Sequence, residues 1–316
     1  MRKPLRSLNI GPNEAGQRLD AALSGLFPDL GLRARRRLWQ AHDVRVDGKA
    51  ARPGLILLAG QRVDVLPRDA EQPAPLLPAE LGLRLLTADS GYCAFFKPAG
   101  LPSAHLAGGD SHNAEACIKA HWPELASAAG LNVPGNTPLL CNRLDAATSG
   151  LLLGAFSEEA RRRFRELEKS GLTDKYYYVL AHGRIPGPLY LEQAMLGSGR
   201  SSVLLLPEKE SDPARHTRVL PLRVFTPGPE PEGSGGQVTL ARAHILRGSR
   251  HQIRAHLAGA GFPIVGDKLY GNAAKDTLKP DQGLYLHHYR IRFGDFAAEA
   301  PPPDELWGKP PVSFTP

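Results

Sequence analysis

The stretch Asn142-Arg143-Leu144-Asp145-Ala146-Ala147-Thr148-Ser149-Gly150 sets an arginine and a carboxylate two residues apart on a turn of small and hydroxylic residues. The apolar run Leu151-Leu152-Leu153 follows it. A lone Asp in such a loop ordinarily caps a helix or closes an Asx-turn. A reactive carboxylate needs other groups brought to it from elsewhere in the chain. His251 and His256 are five residues apart and miss the i, i+4 face that a helical zinc pair uses. Cys93, Cys117 and Cys141 form no C-x-x-C pair, which argues against a structural zinc site, and they read as small buried hydrophobes. No Walker A or dinucleotide-binding pattern is present, and Gly197-Ser198-Gly199-Arg200 and Gly233-Ser234-Gly235-Gly236 read as loops. No metal and no cofactor is therefore expected. A hydrolase acting on sugars needs two working carboxyl groups. Asp267 is the only other acid to nominate, and its Gly-Asp turn reads as structural.

The elements that must position these groups belong to a chain of 316 residues, long enough for two domains, with 42% apolar and 22% charged residues. No apolar run approaches the roughly 20 residues of a membrane span, and no apolar stretch follows the basic N-terminus. The expectation is a cytoplasmic, monomeric protein. Net charge is +7, and residues 1–70 hold 13 Lys+Arg against 7 Asp+Glu, a local excess of +6. A small basic unit ahead of a near-neutral larger one points to a polyanion partner.

Leu19, Leu23, Leu26 and Phe27 have helical spacing. A second helical segment holds Arg33, Arg35, Arg36 and Arg37, followed by Leu38 and Trp39. Val44-Arg45-Val46, an Asp47-Gly48 turn and Arg62–Leu66 read as strands of a compact α/β unit over residues 1–66. Residues 67–80 hold four prolines and read as an extended linker. From residue 81 the spacing predicts strands over 83–87, 92–96, 151–156, 175–181, 216–225, 237–246 and 284–293. Helices are expected over 113–121 and 251–260, with another from an Ser157 N-cap to Lys169. Residues 226–236 read as a mobile loop, and the chain after Ala300 as irregular.

The basic helix followed by Val44-Arg45-Val46-Asp47-Gly48-Lys49 resembles the alpha-L RNA-binding domain, whose arginines would contact the phosphate backbone. Four later segments occur in the order of one family. They are Phe96–Gly100; Arg143-Leu144-Asp145 with Thr148–Leu152; Lys175-Tyr176-Tyr177; and His251–Leu257 with Pro263–Gly271. Together they resemble RNA pseudouridine synthases of the RluA type over residues 81–293. The resemblance implies an α+β domain over 81–316, with a mixed, mainly antiparallel sheet, flanking helices and a central cleft. It implies cofactor-free isomerisation of uridine in structured RNA, ribosomal first and transfer RNA second. It assigns Asp145 as the catalytic carboxylate, acting at C6 or C1′, and Arg254 as its cationic partner. Tyr177 becomes the platform for the base, Arg143 the side chain that helps flip it out, and Ile253 and Leu257 the shapers of the pocket. Asn142, Ser249-Arg250 and Phe96 depart from residues common in the family, which bears on RNA specificity. The alternative is a catalytically silent RNA-binding or ribosome-assembly factor on the same fold.

Overall fold

The computed structural model describes residues 4–67, 76–104, 112–197, 202–225, 236–271 and 283–302. They form two compact units, one within residues 4–67 and one from residue 76 onwards. The first contains β1 (Arg6–Asn9), α1 (Leu19–Ala22), α2 (Leu32–Ala41), β2 (His42–Val46), β3 (Lys49–Ala50) and β4 (Arg62–Pro67). Its four strands make an antiparallel sheet in the order β1-β4-β2-β3. Alternation in β4 sends Val63 and Val65 inward against Leu19, Leu23, Leu38, Val44 and Val46. Asp47 and Gly48 both have positive φ, 50° and 76°, the turn that lets β2 fold straight back into β3.

The second unit runs α3 (Pro78–Leu81), β5 (Arg84–Ala88), β6 (Tyr92–Lys97), α4 (Ala114–Ala120), α5 (Trp122–Ala129), β7 (Leu139–Leu140), β8 (Ser149–Ala155), α6 (Glu158–Lys169) and β9 (Asp174–His182). It continues with β10 (Leu189–Leu191), β11 (Gln193–Leu196), β12 (Leu204–Lys209), β13 (Thr217–Phe225), β14 (Val238–Ile245), α7 (Gln252–Gly259), β15 (Leu286–Phe293) and β16 (Phe296–Glu299). The main sheet follows the order β10-β13-β14-β9-β15-β8-β6-β5, with β16 beside β15 and β7 beside β8. The fold is thus α+β around a mixed, mainly antiparallel sheet: the β8–β15 pair is its parallel one among the described residues.

β8 is buried at every position, as an apolar strand at a sheet centre should be. Its first residues pair with β15, His287 opposite Ser149 and His288 opposite Gly150. Gly150 sits at φ +113°, and a Cβ there would lie 2.2 Å from the His288 carbonyl oxygen, so no other residue fits where the Asp145 turn enters the sheet. Ser157 caps α6 by accepting from the Ala160 N–H at 3.0 Å, and Phe164 plants the helix on Leu151 and Leu153.

Several elements differ from the sequence-based expectation. Residues 78–80, read as the end of an extended linker, form with Leu81 a helical turn whose Glu80 carboxylate accepts from the Leu77 N–H. Pro67 belongs to β4, opposite His42. Helix α5 lies outside the expected helices; its Pro123 stands in the first turn, where proline removes no intrahelical bond. Strands β10 to β12 and β16 are three to six residues long and carry no clear alternation. The expected loop over 226–235, the glycine loops at 198–200 and 233–235, and the tail from 303 lie outside the described residues.

Two histidines of β15 are held neutral by burial, His287 down to about 4 and His288 to about 3. His288 donates from Nδ1 to the Leu151 carbonyl, and His287 from Nε2 to that of Ala300. An unfolded chain would protonate both below about pH 6.5 while the folded one does not, so stability falls toward acid by about 1.4 kcal/mol per pH unit for each. His288→Phe should remove about half of that pair's slope when urea unfolding is followed between about pH 4.5 and 6. An unaltered slope would refute this account of acid sensitivity.

Candidate active site

The Asp145 turn is fixed through its backbone. The Ser103 hydroxyl accepts from the Leu144 N–H at 2.9 Å and donates to the Leu144 carbonyl at 2.8 Å. The Thr148 N–H closes the turn onto the Asp145 carbonyl at 3.0 Å. Beneath it, Lys97 at the end of β6 is 0% exposed. Its ammonium donates to the carbonyls of Pro98 (2.8 Å), Leu101 (2.7 Å) and Ala146 (3.2 Å), one for each proton. Burial pushes Lys97 down to about 7, opposed by the charge of Asp145. The Gly100 N–H adds a second bond to the Ala146 carbonyl at 2.8 Å.

Helix α7 brings Arg254 to this turn. Its Nη1 donates to Asp145 Oδ2 at 2.8 Å, across 109 residues of sequence. Nε and Nη2 donate to the two oxygens of Asp267, each at 2.8 Å. The side chain of Asp267 is 0% exposed, that of Arg254 10% and that of Asp145 27%. Asp267 Oδ1 also accepts from the N–H groups of Leu269 and Tyr270. Burial alone would raise the Asp267 carboxyl and lower the guanidinium, but their mutual bonds reverse both, holding Asp267 below and Arg254 above the ordinary value. Asp267 therefore acts as a buried clamp that occupies two prongs of the guanidinium and aims the third at Asp145. Gly266, at φ +76°, brings the chain so close that a Cβ would lie 1.8 Å from the Gly283 carbonyl oxygen.

On β9, Tyr177 faces away from Tyr176 and Tyr178. Those two stack on His244 and Tyr289, whereas Tyr177 stacks on His288 with centroids 4.5 Å apart and planes 16° apart. One face of the ring is thus occupied by protein. Burial raises its phenol, keeping it protonated. Leu144, Ile253 and Leu257 belong to the same apolar cluster, Leu257 without exposed surface and so supporting the site from below. Arg143 is exposed and has no hydrogen-bond or ion-pair partner among the described residues.

His251, considered in the sequence only as a metal ligand, stands beside Asp145 with Nε2 3.6 Å from Oδ2, and its Nδ1 is 2.9 Å from the Tyr270 hydroxyl. His256 points elsewhere, to Thr217 and the Gln193 carbonyl. Among the described residues no group of three His, Cys, Asp or Glu is placed to hold a metal, and no helix is long and apolar enough to cross a membrane. Two departures from the family pattern carry local bonds. Asn142 Oδ1 accepts from the Leu153 N–H at 2.7 Å, and the Ser249 N–H donates to Gln252 Oε1 at 2.9 Å. Phe96 is buried under the Arg84 guanidinium.

The basic helix of the first unit is less free than its composition suggests. Arg36 pairs with buried Asp20 at 2.7 Å, and Arg35 donates to the carbonyls of Asp20 and Leu30. Burial would raise the Asp20 carboxyl, but bonds from Arg18 and Arg36 pull it down. Arg37 is exposed, and the side chain of Arg33 lies outside the described residues.

Signals for Asp267 and His251 were weak in the sequence. A buried arginine fork needs acceptors for more than one prong, and that requirement alone could have promoted Asp267 from a turn residue to an ion-pair partner.

A mixed sheet that presents an arginine-bound, part-exposed carboxylate beside a buried tyrosine defines an enzyme site of acid–base or nucleophilic character. Residues 91–259 match the family model described as RNA pseudouridylate synthase. The ribosomal large subunit pseudouridine synthase D of Neisseria meningitidis serogroup A is 29% identical, over 93% of this chain and 78% of that one. Ribosomal large subunit pseudouridine synthase C of Vibrio vulnificus is 27% identical, over 95% and 92%. An uncharacterized RNA pseudouridine synthase of Synechocystis is 30% identical, over 83% and 85%. The structure of human RNA Pseudouridylate Synthase Domain Containing 1 shares the fold, with a TM-score of 0.53 and 18% identity over 71% of this chain and 86% of that one. The chain belongs to the RNA pseudouridylate synthase family and is an enzyme that isomerises uridine in RNA.

Proposed function

We propose that this enzyme acts on uridines of ribosomal RNA, with Asp145 as its reacting carboxylate. The observation that carries the assignment is the three-part ion pair. Arg254 binds the part-exposed Asp145 carboxylate through Nη1, while Asp267 absorbs the remaining prongs of the guanidinium. The reaction breaks N1–C1′, turns the base and joins C5 to C1′; the C5 proton leaves and N1 gains one, so no electrons enter or leave. Asp145 supplies an anionic oxygen beside the ribose and base. The ring of Tyr177, backed by His288, supports the uracil ring, and Arg143, exposed next to Asp145, enters the space the flipped nucleotide leaves. The relatives named for the ribosomal large subunit support the choice of RNA.

Residues 1–66 serve as an RNA-binding unit through exposed cations such as Arg37 and Lys49, with Arg35 and Arg36 holding the helix in place. This reading includes a monomeric enzyme that works in the cytoplasm. Mapping pseudouridine in ribosomal and transfer RNA from cells with and without the protein tests the substrate. A site lost from ribosomal RNA is expected. A loss confined to transfer RNA would overturn the assignment.

A further inference from the structure

The Tyr270 hydroxyl accepts the Val203 backbone N–H at 2.6 Å and lies 2.9 Å from His251 Nδ1. A phenol has one proton to give. With its oxygen already accepting from Val203, that proton points at His251, so Nδ1 is the acceptor and a neutral imidazole carries its hydrogen on Nε2. That nitrogen faces Asp145 Oδ2 at 3.6 Å, the same oxygen that Arg254 Nη1 holds at 2.8 Å. No donor among the described residues reaches Asp145 Oδ1. His251 also has φ +54°, one of two non-glycine residues at positive φ among the described ones. The other, Asp47, makes a hairpin turn, where such a conformation is ordinary. His251 instead occupies it at the N-terminus of α7, where the twist turns the imidazole back toward the Asp145 turn.

We propose that His251 is a positioning residue for the reacting carboxylate: with its tautomer set by Tyr270, its Nε2–H closes on Asp145 Oδ2 when RNA binds, leaving Oδ1 as the oxygen that reacts. The proposal rests on the assignment of Asp145 above. The 3.6 Å separation is a few tenths of an ångström beyond a hydrogen bond, and bonds of this kind in substrate-free enzymes commonly tighten in the complex. The groups facing His251 are Asp145, Arg254, Arg250, Asp267 and Tyr270. Burial and the two arginines oppose a charge on the ring, which agrees with a neutral donor.

Single-turnover tritium release from RNA carrying C5-labelled uridine, read beside RNA affinity and thermal unfolding, tests the role. His251→Leu should slow the step about ten- to a hundredfold, the scale of a misplaced reacting group, with affinity unchanged. His251→Gln, whose amide N–H reaches a similar point, should recover most of the rate. Tyr270→Phe should slow the natural enzyme and add nothing to His251→Gln, because the hydroxyl acts through the imidazole. An undiminished rate in His251→Leu overturns the proposal, as does a loss seen only in affinity or one that Gln fails to restore. If His251→Leu does not fold, the Gln and Phe variants and their double mutant still decide it. An active Asp145→Asn enzyme would instead overturn the underlying assignment. An inactive Asp145→Asn together with an unimpaired His251→Leu would remove only the role of His251.

Discussion

Asp145→Asn is expected to abolish pseudouridine formation, by at least about a thousandfold in single-turnover tritium release, while leaving the protein folded and RNA bound. The exchange keeps the shape of the side chain and removes its charge. An amide cannot supply an anionic oxygen to ribose or base, and it leaves Arg254 paired with Asp267 alone. The stability cost should be small, within about 1 kcal/mol, because the Asp145 side chain is 27% exposed and its loss leaves no second buried charge uncompensated. The turn itself is held by Ser103, Thr148 and Lys97 through main-chain groups that the substitution does not touch. A variant within tenfold of the natural rate would sink the mechanism, and a variant that unfolded would sink the claim that the backbone of the turn is independently fixed.

Asp267→Asn should behave in the opposite way, with a loss of roughly 3–5 kcal/mol in unfolding free energy and a rate lowered about a hundredfold. The Asp267 side chain is completely buried, and its two oxygens meet donors only: Nε and Nη2 of Arg254 and the N–H groups of Leu269 and Tyr270. An amide must turn its NH2 toward one of these donors, leaving the guanidinium without its second counter-charge and a donor without an acceptor. The freed fork no longer aims Nη1, so the carboxylate of Asp145 loses its fixed direction. Denaturant unfolding and tritium release on the same preparation separate the two effects. A stability change under about 1 kcal/mol would show that Asp267 is not the clamp described here.

Which stretches of the chain matter is legible in the sequence itself. Ser157 as an N-cap, the Asp47-Gly48 hairpin, the alternation of β4 and the apolar run of β8 are local signals, written within a few residues of where they act. The turn around Asp145 stood out for the same reason, since an arginine, a carboxylate and two small hydroxylic residues lie within seven positions. The expected pairing of Asp145 with Arg254 came from resemblance, and the 2.8 Å bond between them spans 109 residues. Arg35 and Arg36 show the limit of composition, because four arginines in a row of five look alike until Asp20 claims one and main-chain carbonyls another.

The sequence by itself determined the kinds of groups available and the elements that carry them. Tertiary structure alone decided how the two acids divide their work, with Asp145 left partly open and Asp267 sealed against the same guanidinium. It also decided that His251 faces Asp145 and that Lys97 lies beneath the turn. The physical reason is that the role of an acid depends on how much water and how many counter-charges reach it. Both are set by the order of strands in the sheet and by where α7 lands on it, contacts between residues tens to over a hundred positions apart that no local pattern records.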